Sequence, residues 1–126
     1  MQSSRDSSDT LVRQGDTFSF TQPAKAEKYY VQALILDPTN SQAYLRLGDV
    51  YSTTGTYNAA AEAYQKALQV SENLLEAHYK LGILYERDLG DIQKVREHYQ
   101  AYLQLGGTDQ RVKIWLRNAE RGAKPN

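Results

Sequence analysis

The side chains that could carry chemistry are few. The chain of 126 residues contains two histidines, His78 and His98, and no cysteine. The absence of thiols excludes a disulfide framework, a thiolate nucleophile and a Cys-ligated zinc, without indicating a redox compartment. Each histidine falls on a different expected helix, where a core or edge imidazole is the plain reading and a metal ligand the strained one. No HExxH pair, no carboxylate pair with a histidine partner, no Gly-x-Ser-x-Gly elbow and no phosphate-binding glycine loop occurs. Gly106-Gly107 reads as a helix stop. No catalytic residue, cofactor or metal is therefore expected, and the chain is not expected to be an enzyme.

Charge points the same way. Fifteen Lys plus Arg balance fifteen Asp plus Glu, so the chain has no global attraction for polyanions. From Lys94 onward seven basic residues face only Glu97, Asp109 and Glu120, with Lys113, Arg117, Arg121 and Lys124 gathered near the end. RNA binding through that basic end is the weaker alternative, because a solvated outer helix face explains the same residues. Arg13, Arg46 and Lys80 recur at a regular spacing. Asp9 and Glu76 precede the first and third by four residues, the stabilising order for intrahelical ion pairs, which leaves Arg46 as the freest of the three. Hydrophobic residues at 40% and charged residues at 24% fit a soluble globular chain. No apolar run reaches bilayer length, and the polar stretch Met1 to Ser8 does not resemble a signal peptide; a soluble chain is expected, with the cytoplasm favoured.

The elements that must position these residues are helical. Ala, Leu, Tyr, Gln, Lys and Glu recur at spacings of three and four. The chain also repeats itself: Leu47-Gly48-x-x-Tyr51 returns as Leu81-Gly82-x-x-Tyr85, an offset of 34 residues. The same offset carries Ala26 to Ala60, Tyr30 to Tyr64 and Ala33-Leu34 to Ala67-Leu68. Asp37-Pro38-Thr39-Asn40 stops one helix and offers Asn40 as a cap for the next. Helices are expected at about 9–20, 23–36, 41–54, 57–70, 75–88 and 91–104, with a seventh from Thr108 or Asp109 whose Val112, Trp115, Leu116 and Ala119 form an apolar stripe. The spacing from Tyr64 to Tyr99 is 35, one residue more than the repeat, so an insertion near Arg87 to Gly90 should splay or bulge the third pair. Val95 and Tyr102 there replace the small Ala60 and Ala67.

In Tyr44, Leu47, Gly48, Tyr51, Ala60, Tyr64 and Ala67 the chain resembles the tetratricopeptide repeat family. The resemblance runs over roughly residues 7 to 108. It implies an all-α, right-handed superhelical solenoid of three helix pairs plus a C-terminal capping helix. The expected organisation is a flexible N-terminus 1–8, a single domain 9–122 with repeats at about 7–40, 41–74 and 75–108 and a cap at about 109–122, then a flexible 123–126.

The resemblance further implies an adaptor that binds a protein or peptide in a concave groove lined by the first helices of successive pairs. Its groove positions fall on Val12, Leu45 and Tyr79 in one row, on Asp16, Asp49 and Ile83 in the next, and on Ser19, Ser52 and Glu86 toward the turn. That suggests an apolar track of exposed Leu45, Tyr79 and Ile83 with an acidic end, suited to an aliphatic anchor and a Lys or Arg. Family members that grip a chaperone's C-terminal carboxylate use Lys and Asn where this chain has Val12, Asp16, Leu45 and Asp49, so that mode is not expected. Self-assembly of copies is the structural alternative, and membrane insertion is not expected.

Overall fold

The computed structural model describes residues 3–122. Within them run α1 (Ser4–Phe18), α2 (Pro23–Leu36), α3 (Ser41–Thr53), α4 (Tyr57–Val70), α5 (Leu75–Leu84), a π-helical turn (Tyr85–Leu89), α6 (Ile92–Gln104) and α7 (Gln110–Glu120). No strand occurs among the described residues. The expected segment 123–126, with Lys124, lies outside them, as do Met1 and Gln2. The chain forms two compact units, one ending at Glu72 and one beginning at Asn73.

In the first unit α1 packs on α2 and α3 on α4. The contact is built from a glycine on the first helix and a tyrosine on the second. Tyr30 lies against Gly15 and Tyr64 against Gly48, close enough that an added Cβ would fall less than 3.0 Å from the ring. Interiors are packed too densely to absorb such an atom. Ala26, Ala33, Ala60 and Ala67 are fully buried on the second helices, where small side chains let the backbones approach. Val12, Leu47 and Val50 fill the remaining space, with Leu11, Phe18, Leu34 and Tyr51 against its edge. The Tyr51 hydroxyl donates to Glu27 at 2.8 Å, and burial together with that carboxylate pushes the phenol up to about 12.

The first helix begins at Ser4, several residues before the expected start at 9. Ser3 caps it by accepting the Asp6 amide at 3.1 Å, and Ser8 is buried rather than solvated. Its hydroxyl donates to the Ala33 carbonyl at 2.7 Å and accepts from Asn40 Nδ2 at 2.9 Å. Asn40 also donates to Asp9 at 3.0 Å while its own oxygen caps α3 at the Ala43 amide. A polar run thus becomes helix because its hydroxyls find partners. Asp9 is engaged by Asn40, and Arg13 donates to Thr10 at 3.0 Å, in place of the intrahelical Asp9–Arg13 pair expected from spacing.

In the second unit Tyr99 of α6 lies on Gly82 of α5 in the same manner. The extra residue appears as the π turn, closed by the Gly90 amide donating to the Tyr85 carbonyl at 2.7 Å. Gly90 ends it at φ 72°, a left-handed conformation that costs a side chain about 1 kcal/mol. Tyr102 is buried, and its hydroxyl accepts the amides of Thr108 and Asp109 at 3.1 and 3.0 Å. That ties down the link into α7, with the Tyr102 ring against Gly107. Val112, Trp115 and Leu116 of α7 are buried, and Trp115 meets Tyr99 edge to face at 5.5 Å.

Candidate functional site

The tyrosine that sits on each glycine ends in a hydroxyl, and that hydroxyl must find an acceptor. Tyr30 donates to Asp16 Oδ1 and Tyr64 to Asp49 Oδ1, both at 2.6 Å. Each aspartate directly follows the glycine under the ring, so the close packing itself aims the phenol at the carboxylate. The Tyr30 phenol is pushed well above its ordinary range by burial and then by Asp16. Arg46 joins the two sites, with Nε 3.3 Å from Asp16 Oδ1 and Nη1 3.8 Å from Asp49 Oδ2. The expectation of a free Arg46 is thereby corrected: its partners lie on α1 and one turn along α3, not four residues before it.

These groups line an open cavity of about 520 Å³ together with Ser19, Phe20, Val50, Ser52 and Thr53. Two carboxylates against one guanidinium leave the lining one negative charge in excess. Phe20, 95% exposed, stands in that lining; no periodicity singles it out, because it lies beyond the end of α1. Ser52 and Ser19 thus stand in one lining with Asp16 and Asp49. Val12 and Leu45 do not, being 7% and 0% exposed. On α3 Leu45 and Leu47 are both buried although they lie about 200° apart around the helix. More than one side of α3 is therefore covered, and Val12 and Leu45 of the expected groove row are core, while Tyr79 and Ile83 are half-buried.

In the second unit Tyr79 donates to Asp109 Oδ2 at 2.6 Å and tilts against Tyr102 at 5.0 Å. The hydrogen bond to Asp109 raises the phenol and holds the carboxyl low. Ile83 is half-buried. Glu86 accepts the Tyr99 hydroxyl and lies 3.4 Å from Arg111 of α7, so it is a counterpart of Asp16 and Asp49 displaced by one helical turn. Lys80 pairs with Glu76 at 3.3 Å as expected. The two histidines meet, with Nδ1 atoms 3.1 Å apart, which sequence spacing across two helices does not announce. His98 also stacks on Tyr85, and burial, then His78, then Lys94 lower its pKa to about 4. Among the described residues no three metal-ligating side chains gather, and no helix is long and apolar enough to cross a membrane.

Tetratricopeptide repeat profiles match residues 29–62, 54–88 and 76–105, together more than half of the chain. The chain belongs to the tetratricopeptide repeat family. It is 28% identical over 78 residues to the tetratricopeptide repeat and J domain-containing co-chaperone DNJ1 of Cryptococcus neoformans var. grubii, a match covering 62% of this chain and 15% of the relative. It is 33% identical over 79 residues to mouse Tonsoku-like protein, covering 56% of this chain and 6% of the relative. The chain thus spans a small part of the curated relatives it matches. Among solved structures it is similar to the first tetratricopeptide domain of Spaghetti (RPAP3) bound to the HSP90 peptide SRMEEVD, with a TM-score of 0.84, 15% identity, and 97% of each chain covered. That likeness establishes the tetratricopeptide fold.

Proposed function

We propose that the chain is a non-catalytic protein-interaction module that holds an extended segment of a partner protein, and that the cavity between α1 and α3 is its contact surface. The observation that carries this is the open 520 Å³ concavity, walled by paired polar side chains on well-packed helices. A surface of that kind keeps its shape before a partner arrives, which lowers the ordering cost of binding. A peptide held by the Spaghetti (RPAP3) domain and a co-chaperone among the curated relatives support the same reading. The groove residues are Asp16, Ser19, Phe20, Arg46, Asp49 and Ser52. Val12 and Leu45 support them from the core.

The test is capture of partner protein from native extract by the chain and by Ser52→Trp, which fills the cavity. Loss of capture at unchanged helical content is expected. Undiminished capture by both Ser52→Trp and Ser19→Trp would show that the cavity is not the contact surface.

Self-association is a second reading, favoured by Val31, Ile35 and Leu36, which are exposed on α2. Sedimentation over a concentration range decides it: a weight that does not rise with concentration removes the idea.

A further inference from the structure

Resting on the reading of this cavity as a binding groove, we infer that its occupant is the cationic side chain, arginine or lysine, of an extended peptide. The argument begins with charge. Asp16 and Asp49 share one guanidinium, so the lining carries a negative excess that a second cation would neutralise. Asp16 takes both Tyr30 and Arg46 on Oδ1, and its side chain is still 41% exposed. A guanidinium or ammonium arriving there gains a charge-assisted contact without displacing the existing ones.

Phe20 supplies the second part. Its ring is 95% exposed in the same lining, while Phe18 two residues earlier is half-buried, stacked on Tyr29 at 5.7 Å and already covered by Lys25 at 4.1 Å. An aromatic face beside a carboxylate suits a cation, which the ring attracts on its face and the carboxylate at its edge. An acidic peptide fits poorly. The sequence SRMEEVD held by the Spaghetti (RPAP3) domain has three carboxylate side chains to one arginine, and two of the charged groups here would oppose it.

The experiment follows backbone amide shifts of the full chain during titration with capped alanine-serine nonapeptides carrying one central arginine, citrulline or glutamate. Citrulline keeps the shape of arginine without its charge. The arginine peptide is expected to shift the amides of Asp16, Phe20, Arg46, Asp49 and Ser52, binding about tenfold more tightly than the citrulline peptide at low salt. Asp16→Asn and Asp49→Asn keep an acceptor for their tyrosines and should each weaken it about threefold or more, whereas Arg46→Met, which removes the resident cation, should tighten it. Equal shifts of these amides by the citrulline or glutamate peptide would overturn the inference while leaving the groove in place. If no peptide shifts them the inference falls, and the groove falls with it when Ser52→Trp and Ser19→Trp both leave capture intact.

Discussion

The α3–α4 and α5–α6 pairs solve one packing problem with two registers. In both, a tyrosine of the second helix lies on a glycine of the first and passes its hydroxyl to an acid that also meets an arginine. In α3–α4 the acid is Asp49, the residue after Gly48, and the arginine is Arg46 of the same helix. In α5–α6 the acid is Glu86, four residues after Gly82, and the arginine is Arg111 of α7. The added residue of the π turn separates the two cases. What persists is a spatial requirement, an acceptor at the end of a buried phenol, and not a sequence position. An unmet hydroxyl there would cost on the order of 1–3 kcal/mol, enough for a longer side chain one turn away to fill the role.

The largest effect should come from the shared feature. Gly48→Ala and Gly82→Ala each drive a methyl into a tyrosine ring and should lower stability in urea by about 3 kcal/mol. A loss below 1 kcal/mol at either would mean that the ring can move aside there, and that the two pairs are not equivalent.

Acid should separate the units, since both histidines lie in the second. A ring whose folded pKa is about 4 against 6.5 in the unfolded chain binds fewer protons when folded. Stability therefore rises with pH in this window: the contribution of neutral His98 is whole above about 6.5 and is lost as the pH falls toward 4. Discounted for the part of the ring still in water, the loss is roughly 1–2 kcal/mol. Hydrogen exchange at pH 7 and pH 5, corrected for the slower intrinsic exchange of amides in acid, should show weaker protection of α5 and α6 at the lower pH, and His98→Gln should remove the difference. Equal acid sensitivity of α1 to α4 would contradict it.

Removing the phenol oxygen is milder. Tyr64→Phe and Tyr99→Phe should each cost about 1 kcal/mol in thermal or urea unfolding, because the carboxylate left behind is partly wet. Similar values for the two would show that the displaced acid serves as well as the adjacent one. The smallest effects belong to the cations: Arg46→Met and Arg111→Met should each change stability by less than about 1 kcal/mol, shrinking further at high salt.

Much of this was legible in the residues. The 34-residue recurrence locates the helix pairs, Gly-x-x-Tyr marks the close approach, and the 35-residue spacing to Tyr99 announces the disturbance that the π turn embodies. The cap Asn40 stands where its residue type suggests. Other features depend on which face of a helix is covered, and a single-helix pattern cannot say that. Leu45 reads as exposed because its row would face a groove, yet α3 is covered on more than one side. Arg46 reads as free because its partners lie across a helix pair and one turn onward. The contact of His78 with His98 depends on two helices meeting in a particular rotation. The aspartate after Gly15 and Gly48, set beside a tyrosine 14 or 15 residues later, is the signal that could have revealed the hydroxyl–carboxylate pairs.

Asn40 has a consequence for how the chain assembles as it grows. Its amide reaches back 31 and 32 residues to Asp9 and Ser8, and its oxygen starts α3. Until residue 40 is present, the buried Ser8 hydroxyl has the Ala33 carbonyl but lacks its second partner, and the first pair is left open at that end. The same side chain that caps the start of the second pair thus latches the first, so the first pair becomes secure when the second starts to fold.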